Sequence, residues 1–144
     1  MKVTDAEINA RQHDDYLKVI STHASPLGER MASMGETAGR AARSQTLADF
    51  AAAVNAMNAV SEEAALFLNA LASSDCPGYL RGADSQIQDA LKLLVDGGRR
   101  GAEAAEAADG VRVAAAARGM EVANGDIVAA AHLLTAWRSG AARP

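Results

Sequence analysis

The sequence has little of what a disulfide-linked, sheet-forming or membrane-spanning protein requires. Cys76 is the only cysteine among 144 residues, which excludes an internal disulfide and leaves the redox compartment open. There are no β-branched runs long enough to build a sheet, and no apolar run reaches the ~18 residues of a membrane span. The first ten residues contain neither the apolar core of an export signal nor a twin-arginine motif. These absences favour a soluble helical protein, cytoplasmic as the chain stands and exported if a leader precedes it.

Aromatic residues and excess basic charge are also scarce. Aromatic side chains make up only 3% of the chain, and the formal net charge is −4. Binding to nucleic acid requires a concentrated basic surface, so the charge argues against a nucleic-acid partner. Hydrophobic residues reach 49%, and about half of them are alanine. Because alanine is the best helix former and buries little surface, the composition predicts long helices packed closely together.

Apolar residues recur at alternating steps of three and four in four successive segments. This spacing predicts helices over about 4–43, 47–73, 77–109 and 111–139, all within one domain spanning 1–144. The first pattern passes through Pro26 without a change of phase, which indicates one long helix kinked near the proline. Thr4 and Glu7 form a capping box at its start. The Asp109-Gly110 pair is expected to stop the third helix.

Short connections between the segments require each helix to run antiparallel to the one before it. The predicted fold class is therefore all-α, an antiparallel up-down-up-down four-helix bundle. The alanine-rich heptads, with Tyr16-Leu17-Lys18-Val19-Ile20 and a proline shortly after, resemble uncharacterised helical-bundle proteins of high-GC actinobacteria. That resemblance implies a helical fold and carries no activity. Some of those proteins are exported, so it leaves the compartment open.

Residues that could support metal binding or catalysis are poorly placed. A di-iron bundle needs Glu-x-x-His pairs, and none of His13, His23 and His132 belongs to one. His13 falls on the apolar seam, whereas the other two histidines lie beside it and are expected to face solvent. Cys76 precedes a helix start, where the helix dipole could lower its pKa, but an incidental free thiol is the preferred interpretation. We therefore expect no metal, no cofactor and no enzymatic activity.

Two groups of residues remain as candidate binding sites. Gly97 to Gly101 place Arg99 and Arg100 in a glycine-rich helical stretch, and these arginines, with Trp137, are candidates for contact with a partner. The alternative is that Gly97 and Gly101 let two helices approach closely while the arginines are solvated. Four methionines on the seams are candidates for an apolar ligand site in the core, with core filling as the alternative: Met31, Met34, Met57 and Met120.

The function expected from these features is that of a non-enzymatic protein acting in protein-protein interaction or assembly. Exposed alanine faces and long helices favour a protein partner or self-association. The alternative is a binder of a small apolar ligand held between the helices.

Overall fold

The chain folds into four long α-helices. In a computed structural model that describes the backbone of residues 5–139 and the side chains of residues 10–134, the helices are α1 (Asp5–Ser44), α2 (Leu47–Ala72), α3 (Arg81–Glu106) and α4 (Gly110–Ser139). Each helix packs against the next, and α4 also packs against α1 to close the bundle. No strand occurs in the described part of the chain. The predicted all-α antiparallel four-helix bundle is confirmed.

The first helix continues through Pro26, as its unbroken apolar pattern predicts. Ile20 before the proline and Leu27 and Met31 after it are all buried, so the same face of α1 meets the core on both sides. The missing N–H of Pro26 leaves one carbonyl without its helical partner, a loss that the surrounding helix tolerates. The predicted capping box of Thr4 and Glu7 lies outside the described residues.

Two short turns reverse the chain in similar ways. Gln45 after α1 and Ala108 after α3 both adopt a φ of 53°, the left-handed conformation that commonly ends a helix. The next residue then caps the following helix, because Thr46 Oγ1 accepts from Asp49 N at 3.2 Å and Asp109 Oδ1 accepts from Arg112 N at 3.1 Å. The predicted helix stop at Asp109-Gly110 is therefore wrong: α3 already ends at Glu106, Ala108 takes the left-handed conformation after it, and Asp109 caps α4, which begins at Gly110.

The start of the third helix also differs from the prediction. A single 3-10 turn, Gly78–Leu80, stands where the first turn of the helix was expected, and α3 begins at Arg81. Pro77 has a ψ of 142°, outside the helical region, so the regular helix cannot begin there. Leu80 N donates to Pro77 O at 2.9 Å, which closes the tighter turn.

The buried face of the bundle follows the predicted seams and is wider than they are. Leu17, Leu94 and Ile127 are buried, and Val54 packs half-buried against the core. Leu47 continues the alternating spacing of Phe50 and Val54 toward the start of α2 but is 83% exposed, because it is the first residue of the helix and directly follows the Thr46 cap. α2 and α3 each add a second row of buried residues that a two-in-seven seam omits, namely Ala53, Val60 and Phe67 of α2 and Leu91, Gly98, Ala102 and Ala105 of α3.

Candidate functional site

The glycine-rich segment of α3 is a point of close approach between helices. A Cβ on Gly98 would lie 2.6 Å from the carbonyl oxygen of Met57 and 2.9 Å from the Cβ of Ser61. Ser61 Oγ donates to Val95 O at 2.9 Å across the same contact. A Cβ on Gly101 would overlap the end of the Met57 side chain. The glycines therefore seat α2 directly against α3, since any larger residue at Gly98 would meet backbone.

Arg99 and Arg100 are exposed on the outer side of this segment. Their placement agrees with the solvated alternative, in which the glycines pack inward and the guanidinium groups face water. Trp137, the other residue predicted to contact a partner, belongs to α4, but its side chain lies outside the described residues.

The four methionines are buried and contribute to core packing. Met34 and Met57 are fully buried, Met120 is 1% exposed, and Met31 is 6% exposed. Met120 and Met57 fill the space beside α3, since a Cβ on Gly97 would lie 2.8 Å from Met120 Cγ and one on Gly101 would overlap Met57. None of five clefts on the surface of the described side chains is lined by a methionine.

A polar cluster that the sequence analysis did not single out joins the beginning of α1 to the beginning of α3. Tyr16 OH donates to Asp84 Oδ1 at 2.8 Å, and Gln88 Nε2 donates to Asp84 Oδ2 at 2.7 Å. One turn earlier on α1, His13 Nδ1 lies 2.7 Å from Tyr79 OH, and the two rings stack. Both carboxylate oxygens of Asp84 thus have donors, as a partly buried charge requires.

The environment of this cluster raises the pKa of two acidic groups, the Tyr16 phenol and the nearby Cys76 thiol. Burial, the hydrogen bond to Asp84 and the charge of Asp84 together raise the pKa of Tyr16 far above its ordinary value. Burial first, and the charge of Asp84 second, raise the pKa of the nearby Cys76 to about 11, although Arg81 acts in the opposite direction. The thiol is therefore protonated at neutral pH, and a thiolate nucleophile is not available there.

The histidines occupy three different environments. His13 is buried, and its Nε2 has no hydrogen-bond partner among the described residues. His23 is half-buried and stacks on Phe67 with 5.5 Å between ring centroids, so the expectation that it faces solvent is wrong. His132 is exposed, as expected. Among the described side chains, no three His, Cys, Asp or Glu residues come together in an arrangement that could hold a metal ion.

The side of the bundle between α1 and α4 is open. A cleft of about 540 Å³ runs along it beside Leu17 and Ile20, with Asp14 and Asp15 at its rim. A second cleft of about 240 Å³ follows, beside Leu27 and other residues of both helices. Ala24 of α1 and Ala131 of α4 line both clefts, which therefore form one shallow groove. We call this the α1–α4 groove.

The outer face of α4 is more apolar than those of its neighbours. Eight large hydrophobic residues are exposed in the described part of the chain, and four of them belong to α4: Val111, Val122, Val128 and Leu133. The outer faces of α1 and α3 carry mainly charged and polar residues. We call the exposed residues of α4 between Val111 and Leu133 the α4 face. It borders the α1–α4 groove, because Val128 also lines the second cleft.

No helix among the described residues is long and apolar enough to cross a membrane. Comparison with known proteins gave no match, whether to a protein-family model, to a curated protein or to a solved structure. The bundle fold and the chemistry of its surfaces are therefore what a proposal for function must rest on.

Sequence reasoning missed the polar cluster and the α4 face for different reasons. Tyr16 and His13 are three residues apart on one helical face, and that signal could have been noticed, but their partners are more than 60 residues away. The α4 face had a visible signal, because valine and alanine occur on both sides of that helix in the sequence. Only the packing shows which side is left exposed.

Proposed function

We propose that the protein is a non-enzymatic interaction protein that assembles with a protein partner through the α4 face. The observation that carries this proposal is the concentration of exposed valine and leucine on one helix. Val111 is 80% exposed and Val122 is 69% exposed. Contact of apolar side chains with water is unfavourable in free energy, so these exposed valines do not stabilise the single chain. A partner that covered these side chains would recover the free energy of burying them.

The α1–α4 groove extends this surface. Its walls are formed mainly by apolar side chains of Leu17, Ile20, Leu27 and Ile127, and it is continuous with the α4 face through Val128. Apolar surface that combines a ridge with an adjoining groove is the kind that partner helices use. By contrast, the polar cluster between α1 and α3 uses both carboxylate oxygens of Asp84 in hydrogen bonds from Tyr16 and Gln88 and holds its thiol and phenol protonated, which supports a structural role for it.

Substitution of Val122 tests the proposal. Val122→Lys places a charge at the centre of the α4 face, and we expect it to abolish assembly because the charge would have to be desolvated. The matched control is Leu93→Lys, which alters an exposed leucine on α3. Light scattering after size-exclusion chromatography, over a range of concentrations, measures self-association. Affinity capture with chemical cross-linking in the native host detects other protein partners.

Two results would contradict the proposal. The first is a protein that stays monomeric at high concentration and retains no partner after cross-linking. The second is an equal loss of assembly in Val122→Lys and Leu93→Lys, because this would show that the effect is not specific to the α4 face.

The alternative function, binding of an apolar ligand among the methionines, gains no support from the packing. Met57 and Met120 already fill the space beside the glycines of α3. Native mass spectrometry of the protein purified from its own host tests that alternative, because a bound ligand would appear as a reproducible added mass.

A further inference from the structure

The α4 face has nearly the same chemistry when it is followed outward from Val122 in either direction. At four pairs of positions that are equally distant from Val122, the two exposed residues match in size or complement in charge. The pairs are Val111 with Leu133, Ala115 with Ala129, Arg118 with Asp126, and Gly119 with Gly125, all of them exposed. In an antiparallel pair of identical helices centred on Val122, the two members of each pair lie at the same level.

We propose that the partner of the α4 face is a second copy of this chain, bound with the two α4 helices antiparallel and a two-fold axis beside Val122. This inference rests on the proposed function and specifies its partner. The face from Val111 to Leu133 covers 22 residue steps, or about 33 Å of helix. Such a contact is isologous, so it closes after two copies and does not propagate into a filament.

Charge complementarity favours a second copy and sets the direction of pairing. Neither Arg118 nor Asp126 forms an ion pair with another described residue of its own chain. In the antiparallel arrangement, each Arg118 faces Asp126 of the other copy, which gives two equivalent ion pairs on either side of the axis. In a parallel arrangement in register, Arg118 would face Arg118 and Asp126 would face Asp126, which is repulsive.

The glycines of the α4 face point to a close neighbour. Gly119 and Gly125 both lie inside a helix, where glycine is a poor helix former. A Cβ on either residue would meet nothing within 4 Å, so packing within the chain does not require glycine there. With Ala115 and Ala129, the glycines leave room on either side of Val122 for another helix backbone. Gly98 and Gly101 of α3 differ, because contacts inside the bundle account for them.

Disulfide trapping tests the two-fold arrangement directly, in a background where the only native cysteine is removed by Cys76→Ser. We expect Val122→Cys to form a disulfide-linked dimer under mild oxidation, because the two residues meet beside the axis. Val111→Cys mixed with Leu133→Cys should give a disulfide-linked heterodimer, whereas Val111→Cys alone should stay unlinked. Asn58→Cys, on the exposed face of α2, measures random collision. Two results would overturn the antiparallel dimer. One is efficient disulfide formation between two copies of Val111→Cys, and the other is a disulfide yield for Val122→Cys no higher than that of the Asn58→Cys control.

Charge exchange tests the ion pairs independently of cysteine chemistry. Arg118→Asp or Asp126→Arg alone should raise the dimer dissociation constant by about 10-fold or more, because each puts like charges opposite each other twice. The double variant should return to within about 3-fold of the original. Lys92→Asp, on the side of α3 that faces α2, is the matched control and should leave dissociation unchanged. Sedimentation velocity measures the dissociation constants of the four variants and of the original protein. Single variants that behave like the control, or a double variant without recovery, would refute the pairing.

Failure of this inference is distinguishable from failure of the proposed function. A protein that is monomeric in sedimentation yet loses a different cross-linked protein upon Val122→Lys would refute the dimer and retain the interaction function. A monomeric protein that retains no partner would refute both.

Discussion

The two sides of the bundle, α2 against α3 and α1 against α4, are built from similar small residues but pack differently. Between α2 and α3, Gly98 brings the backbones so close that an added Cβ would touch a carbonyl oxygen. Between α1 and α4, Ala24 and Ala131 line clefts of about 540 and 240 Å³. Small side chains therefore give a tightly packed interface only where the two helix backbones approach each other closely, and elsewhere they leave a groove.

The open side results from what surrounds the alanines. Leu17, Leu27 and Ile127 are buried beside the two clefts, and the single methyl group of Ala24, which lines both clefts, leaves the space between α1 and α4 unfilled. On the sealed side the bulk is supplied by Met57, which adapts its shape to the glycines opposite. The contrast predicts that one kind of substitution will have opposite effects on the two sides.

The largest expected effect is that of adding one methyl group to the sealed side. Gly98→Ala should lower the free energy of unfolding by about 2–3 kcal/mol, because its Cβ meets the backbone of α2. On the open side, Gly28→Ala should raise it by up to about 1 kcal/mol, because a Cβ there meets nothing within 4 Å and alanine favours the helix. Urea unfolding followed by circular dichroism measures both. Equal effects at the two positions would remove the distinction between the sides.

The next largest expected effect concerns the polar cluster, in which a hydrogen bond connects α1 to α3. Tyr16→Phe should cost about 1.5 kcal/mol, because Asp84 loses a donor to its carboxylate and retains only Gln88. The measurement is the same urea titration. Ser21→Ala on α1, which removes an exposed hydroxyl bonded only to its own helix, is the control and should have little effect. A Tyr16→Phe protein as stable as the original would show that this hydrogen bond contributes nothing.

The same tyrosine should make stability depend on alkaline pH. The pKa of Tyr16 is raised in the folded protein, so the unfolded chain loses this proton first as the pH rises. The stabilisation is complete below the ordinary phenol pKa near 10, and it is lost progressively above that pH. Thermal unfolding between pH 8 and pH 11 should show a steeper decline for the original protein than for Tyr16→Phe. Parallel pH profiles would contradict the raised pKa.

A smaller effect is expected from filling the α1–α4 groove. Ala24→Leu adds three carbon atoms beside the second cleft, and partial burial should stabilise the protein by about 1 kcal/mol at most. Ala32→Leu, on the exposed face of α1, is the control and should change stability by less than about 0.5 kcal/mol. Differential scanning calorimetry compares the two variants. Destabilisation by Ala24→Leu would mean that the groove is already closed in solution.

The smallest effect lies in the reactivity of Cys76. With its pKa raised to about 11, the thiol should alkylate slowly at neutral pH, and its rate should increase with a midpoint near that value. Asp84→Asn should lower the midpoint, because it removes the negative charge that opposes ionisation. Iodoacetamide kinetics followed by mass spectrometry, with the guanidinium-unfolded protein as the reference, measure this change. A midpoint that is the same folded and unfolded would contradict the effect of burial.

The four helices and their connections were predictable because they depend on local patterns. Alternating apolar steps place Leu17, Leu94 and Ile127 in the core, and the unbroken phase through Pro26 predicts one continuous first helix. The exact ends were less predictable. Ala108 takes a left-handed conformation that is more common for glycine, and Pro77 opens a 3-10 turn instead of a regular helix.

The helical state of the chain, the course of its apolar seams and its small number of reactive side chains follow from the sequence, because periodicity and composition act through the local backbone. The packing of the helices, in contrast, sets the contact of Tyr16 with Asp84, the close approach of Gly98 to α2 and the open space beside Gly119, and it buries Val113 while leaving the other three valines of α4 exposed. Those facts depend on how far apart and at what rotation the helices pack, and packing is the summed result of many weak contacts between residues distant in the chain.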